Sequence, residues 1–311
     1  MESGSRRAIV AALGANLGIA IAKGVGFLFT ASASMLAETV HSIADTGNQA
    51  LLLWGSVAAE KEPSPNHPFG YGRERYFWAF VVALILFSLG GLFAINLGIE
   101  KFGQAEPLHN PGVAVGILLF GVLLEGYSFR TATVAARSLK GDSSWWEFIR
   151  HTKNPELPVV LLEDLGALVG LLIALAGVGL SLATGDPRYD AAASVLIGLL
   201  LGVIATILVI EMKSLLIGES ASEKDVSLIC DALESGPDVR TIIHMRTQHL
   251  GPDQLLVGAK VEFAATLSFT ELTHAIDRAE SRIRSRLPKL DITIYLEPDI
   301  FEPEQAADHS P

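Results

Sequence analysis

Along the first 217 positions the apolar residues neither alternate nor recur at a helical interval. They run on almost unbroken, in stretches long enough to cross a bilayer as helices, which takes about 20 residues. Six such stretches lie at roughly 8–30, 33–59, 76–101, 111–136, 158–184 and 188–212. The links Ala31–Ser32 and 185–187 are so short that they join helical hairpins. "EKEPSPNHPFGYGRERY" joins the second stretch to the third, and "RSLKGDSSWWEFIRHTKNPELP" the fourth to the fifth, with Trp145 and Trp146 placed as interfacial anchors. After residue 218 the pattern changes. Ser222 to Asp225 and Ser268 to Glu271 resemble helix-opening capping boxes. Ile242–Thr247, Leu255–Phe263 and "ITIYLEP" read as strands, with a turn at 251–253 and Pro288 ending the second helix. The order helix, strand, strand, helix, strand predicts a small sheet with helices on one face.

Polar residues interrupt the second stretch in an ordered way. In "AETVHSIADTGNQ", Glu38, His41 and Asp45 stand at i, i+3 and i+7, one face of a helix. A charge at mid-bilayer costs about 2.5–3.5 kcal/mol on insertion scales, so this stripe must face the bundle interior or water. A polar clamp between helices would satisfy that; so would an ion site. The fifth stretch, "PVVLLEDLGALVGLL", adds Glu163 and Asp164. Neighbours on a helix differ by about 100°, so one acid should face the second stretch and the other a neighbour or the water layer. The fourth adds Glu125 and the third Asn96. Lys23 and Arg130 are expected to carry their charges toward an interface on their long stems. The second and fifth stretches contain no lysine or arginine, so an acidic pocket between them calls for a cation. Imidazole with carboxylates suits Zn²⁺, with Mn²⁺, Fe²⁺ and Co²⁺ as alternatives. The i, i+4 spacing of His41 and Asp45 lets one helix offer two ligands to one ion.

Charge and composition sharpen this picture. Half of the 311 residues are apolar, and 18% are charged against about 25% in soluble proteins. Residues 219–311 carry 17 acids and 9 bases, an acidic tail that repels phosphate and excludes a nucleic-acid partner. The single cysteine, Cys230, allows no disulfide within the chain. The apolar run after Arg6 and Arg7 exceeds a signal-peptide core and is read as a first span. Arg6, Arg7, Lys61, Arg73, Arg75, Arg137, Lys140, Arg150 and Lys153 fall on one side of a six-span bundle, and Lys101 and Arg188 on the other. Both termini are therefore expected in the cytoplasm.

These residues resemble the cation diffusion facilitator (cation efflux) family, in particular the branch containing mitochondrial zinc transporter nine and its bacterial relatives. "HSIADTGNQ" looks like the family's second-span metal motif, "HPFGYGRERY" its following loop, and "SLLIGESAS" the end of its sixth span. The resemblance implies an α-helical membrane protein: six transmembrane helices (1–217), a small cytosolic α/β, metallochaperone-like (ferredoxin-like) dimerisation domain (218–300) and a disordered tail (301–311). It implies a homodimer in membrane lipid that is not an enzyme, holds no organic cofactor and exports a divalent metal ion, most often zinc, in exchange for protons. His41 and Asp45 match the second-span ligands, and Asp164 matches a fifth-span ligand. Val160 stands where that ligand's partner is usual, and Glu163 or Glu38 is expected to supply the missing carboxylate. His67 matches a loop ligand of some relatives, but Tyr71 replaces a second histidine, so His67 is read as shaping the turn. In the tail His274 and Glu297 match ligand positions while Lys260 and Tyr295 do not, which favours a dimerisation module with few or no bound ions. His244 with His249 is an alternative tail site, and His109 and His151 are read as solvated. A bacterial inner membrane is the expected location. The rival readings are a non-transporting scaffold or metal sensor, and an intramembrane metal-dependent hydrolase, for which HExxH is missing.

Overall fold

The computed structural model describes residues 3–103 and 110–301. His109 and nearly all of the 301–311 tail lie outside the described residues. The chain divides into two compact units: one runs to Ala58 and resumes over Arg75–Lys213, and the other joins Ala59–Glu74 to the chain from Ser214 onward.

The first unit is helical. Its elements are α1 (Ser3–Thr30), α2 (Ala33–Ala59), α3 (Glu74–Ile85), a π-helical turn (Leu86–Leu92), α4 (Phe93–Gly103), α5 (Pro111–Lys140), α6 (Trp145–His151), α7 (Glu156–Thr184) and α8 (Arg188–Ile217). All six apolar stretches are thus helices. Four of them, Glu74–Gly103, Gly112–Arg137, Glu156–Thr184 and Arg188–Ile217, are long and apolar enough to cross a membrane; the described apolar part of α1, Asn16–Thr30, is shorter. The polar stripe of α2 lowers its hydropathy, which is why composition alone does not single that helix out. Small residues set the packing. Gly91 lies against Gly202, so that a Cβ there would sit 3.3 Å from its Cα, and a Cβ on Gly198 would meet the Gly91 carbonyl at 2.7 Å. Gly18, by contrast, faces open space. Ser194 donates to the Ala94 carbonyl at 2.8 Å, fastening α8 to α4. Asp190, at the start of α8, accepts from the Ala33 amide at 2.7 Å, from the Ser32 hydroxyl at 2.7 Å and from Ser34. It therefore supplies the anion that the unpaired amides at the α2 N-terminus favour. Arg75 holds Glu156 through two hydrogen bonds of 2.5 and 2.9 Å, tying α3 to α7. Trp145 and Trp146 lie in the short α6, opened by a full Ser144/Glu147 capping box.

The second unit carries α9 (Glu223–Glu234), β1 (Val239–Gly251), β2 (Gln254–Phe263), α10 (Phe269–Arg286) and β3 (Asp291–Pro298). The sheet order is β1-β2-β3, antiparallel and then parallel. A parallel pair needs a crossover, and α10 is that crossover. Leu255, Val257, Ala259, Val261 and Phe263 alternate inward along β2 and pack with Ile229 and Leu233 of α9 and Ala275, Ala279 and Ile283 of α10. Ser222 accepts from the Asp225 amide, and Ser268 forms a complete box with Glu271. The 59–74 loop belongs to this unit. Ser64 and His67 pair across a tight turn, Gly70 takes φ +81°, and the His67 ring leans on Tyr71 with centroids 4.6 Å apart. The loop's backbone reaches the β1–β2 turn: a Cβ on Gly72 would lie 2.7 Å from the Leu250 carbonyl oxygen.

Candidate functional site

The polar stripe of α2 continues one turn past the sequence motif. Glu38, His41 and Asn48 are fully buried, and Asp45 is largely so. Their i, i+3, i+7, i+10 spacing keeps them on one helical face. That face meets α7 where glycine allows it: a Cβ on Gly170 would sit 2.5 Å from Glu38 Oε1. On α7, Glu163 and Asp164 are both buried and diverge as adjacent helical positions must. Asn48 donates to Glu163 Oε1 at 2.5 Å, while the Ser128 hydroxyl of α5 donates to Asp164 Oδ2 at 2.9 Å. So Glu163 turns toward the second long helix and Asp164 toward a neighbour.

Asp45, Glu163 and Asp164 line one cleft with Glu125, Ser42, Gln49, Asn16 and Ile19. Its free space is about 10 Å³ for the centre of a water-sized sphere, enough for one small occupant. His41 is a turn from Asp45 on the same face, its Nδ1 3.4 Å from Asp45 Oδ1. Both imidazole nitrogens, Asp45 Oδ1 and Glu38 Oε1 are buried without a hydrogen-bond partner. Buried polar atoms left unpaired are expensive, and a cation arriving beside His41 and Asp45 would satisfy the imidazole and the Asp45 oxygen. Among the described residues, no three His, Cys, Asp or Glu side chains already converge as a ligand set. Of the five residues singled out from the sequence, Asp45, Glu163 and Asp164 share the cleft; His41 adjoins Asp45, and Glu38 is engaged elsewhere.

Glu38 is engaged by Lys23. The expectation that Lys23 reaches an interface is overturned: the side chain is 1% exposed, with Nζ 3.0 Å from Glu38 Oε2 and 2.7 Å from Ser42 Oγ. The Glu125 carboxylate lies 3.9 Å away. A buried ammonium needs a carboxylate close by, and Glu38 provides one that no interface would. The signal lay in the hairpin: Lys23 is eight residues before Ala31 and Glu38 six after Ser32, so a tight turn brings them to similar depth. Asn48, Ser128, Ser42 and Gln49 carry no charge, and nothing in the single sequence set them apart. Asn96, by contrast, bonds back to the Leu92 carbonyl and takes no part in the site.

The C-terminal unit presents a second polar cluster, on the open face of the sheet: His244, Arg246, Lys260, Tyr295 and Glu297. Lys260 bonds Asp299 at 2.9 Å and Glu297 at 3.3 Å. The Lys260 ammonium is raised by its hydrogen bonds to Asp299 and Glu297, and the Asp299 carboxyl is lowered chiefly by Lys260. His244 and His249 do not form one site. Five residues of extended strand separate them by about 16 Å, and His249 is buried with Nδ1 3.3 Å from the Gly251 carbonyl.

Comparison with known proteins gives two matches that cover almost the whole chain. Residues 9–217 match the family model of the cation efflux transmembrane domain, and 221–299 that of the cation efflux protein cytoplasmic domain. The chain is 32% identical over 244 residues to the proton-coupled zinc antiporter SLC30A9, mitochondrial, of Mus musculus, covering 78% of this chain and 43% of that protein. It is 30% identical over 262 residues to metal tolerance protein C4 of Arabidopsis thaliana, covering 83% and 57%. It is 25% identical over 304 residues to the cation-efflux pump FieF of Escherichia coli O1:K1 / APEC, covering 97% and 95%. The chain thus spans about half the length of the mouse and plant relatives.

Proposed function

The chain belongs to the cation diffusion facilitator (cation efflux) family, whose members are transporters, and on that footing we propose that it is a divalent-cation efflux carrier, with zinc as its ion, working as a metal/proton antiporter. The observation that carries this reading is the cleft between α2 and α7, where Asp45, Glu163 and Asp164 share a water-sized space beside the unpaired imidazole of His41. One imidazole with carboxylates is a donor set suited to Zn²⁺. The mouse relative is itself described as a proton-coupled zinc antiporter. In this reading six helices span the membrane within 1–217, 218–300 pairs two copies in the cytoplasm, and both termini lie on that side of a bacterial inner membrane.

The cycle follows from ligand chemistry. Zn²⁺ enters from the cytoplasm onto His41, Asp45 and Asp164, with Glu163 as the fourth donor in place of the residue missing at Val160. Metal ligands must be deprotonated, so binding releases protons. The bundle then exposes the site to the far side, where protons compete for the same groups and displace the ion. Histidine, with an ordinary pKa near 6.5, suits that exchange. The test is zinc accumulation in proteoliposomes carrying an internal zinc dye and a pH step. The wild-type chain should accumulate zinc only with the proton gradient, and Asp45→Ala and His41→Ala should fall to the rate of empty liposomes. Wild-type flux in Asp45→Ala would overturn the site.

A further inference from the structure

Lys23 is not a candidate ligand, yet it is among the most deeply buried side chains of the helical unit. Its ammonium touches Glu38 and Ser42 and faces Glu125. Ser42 and Glu125 line the same cleft as Asp45, Glu163 and Asp164. The lysine is thus an internal cation set behind the wall of a site built to take a cation. Glu38 has one oxygen, Oε2, on Lys23; the other, Oε1, is unpartnered and packed where Gly170 leaves room for it. A carboxylate so held is not free to close around an ion in the cleft.

We propose that Lys23 is a resident counter-charge of the transport cleft. It holds Glu38 out of the ion's coordination shell and keeps the cleft one unit less negative than its acids alone would make it. This rests on the proposed function and deepens it. The carboxylates left for the ion are Asp45, Glu163 and Asp164, and with Glu38 engaged by Lys23 the ion is held loosely enough for protons to displace it. Lys23 acts through Glu38 and through its field, so it is a positioning residue. Two like charges a few ångströms apart in a poorly solvated site interact strongly enough to shift affinity by about tenfold or more.

The test compares zinc binding by equilibrium dialysis, and KM and maximal rate in proteoliposomes, across full-length variants whose fold is checked by size-exclusion profile. Lys23→Met should bind zinc about tenfold tighter, with a lower KM and a lower maximal rate, because release is slowed. Glu38→Gln should bind more weakly, because Lys23 is then uncompensated. The double variant Lys23→Met/Glu38→Gln should return to within about threefold of wild type, and Lys23→Arg should stay near it. Packing damage alone would move all four in one direction. An unchanged or weaker affinity in Lys23→Met overturns the proposal. So does a double variant as weak as Glu38→Gln alone, which would make Glu38 a ligand. If Lys23→Met does not fold, the neutral double variant against Glu38→Gln decides by the same criterion. Failure of the wild-type chain to move any divalent ion would sink the transporter reading, while the dialysis series would still report the charge of the cleft.

Discussion

At the scale of single residues, the site depends on what is small as much as on what is charged. Gly170 gives Glu38 the space it occupies, and the first atom of an alanine side chain there would stand 2.5 Å from a carboxylate oxygen. Gly170→Ala is expected to cost about 1–3 kcal/mol, as overpacking does, and to lower zinc uptake; thermal unfolding and liposome flux read the two effects. Outside the membrane helices, Asp299 shows how one pair tunes another. Its carboxyl is lowered by the hydrogen bond from Lys260, so its contribution to stability is present above the unfolded value near 3.9 and is lost as pH falls through the lowered folded value. In Lys260→Ala, a carbon-13 titration of Asp299 should show its midpoint moving up toward the ordinary range. The sequence displayed the acids that line the candidate cleft plainly, because charged residues stand out in an apolar run. It did not display their partners. Lys23 carries the same letter whether it reaches water or closes a buried pair, and only the hairpin register separates the two.

At the scale of elements, hydrophobic pattern and capping chemistry were informative where local physics decides. The helix starts at Ser222 and Ser268, the turn at 251–253 and the alternation of β2 all stand as the sequence implies. The π-helical turn at Leu86–Leu92 was not legible; its Gly90 and Gly91 lie against α8, more than a hundred residues away in the chain. Nor was the seating of the 59–74 loop, whose glycines looked like ordinary turn formers. Only Gly70 needs its left-handed φ; Gly72 is required because the Leu250 carbonyl and Gly251 press against it. Gly72→Ala should therefore loosen this loop from the β1–β2 turn, and limited proteolysis should cut between residues 60 and 72 several-fold faster than in wild type.

At the scale of the whole molecule, a chain that is apolar before residue 218 and acidic after it joins a multi-pass helical domain to a small α/β domain. The change of composition near residue 218 was visible in the sequence. The assignment of the 59–74 loop to the second unit was not, because it is a contact between segments nearly two hundred residues apart. The narrowness of the cleft has a consequence for selectivity. In the proposed transport site the space open to the centre of a water-sized sphere is about 10 Å³, so an ion would shed much of its water before the carboxylates and imidazole received it. The ligands would have to repay that dehydration, which favours an ion that bonds imidazole as well as carboxylate. Magnesium dehydrates reluctantly and prefers oxygen ligands to imidazole. A hundredfold excess of magnesium should leave zinc uptake into proteoliposomes within about twofold of its uninhibited rate, and strong competition would mean that ions pass through this cleft still wearing their water.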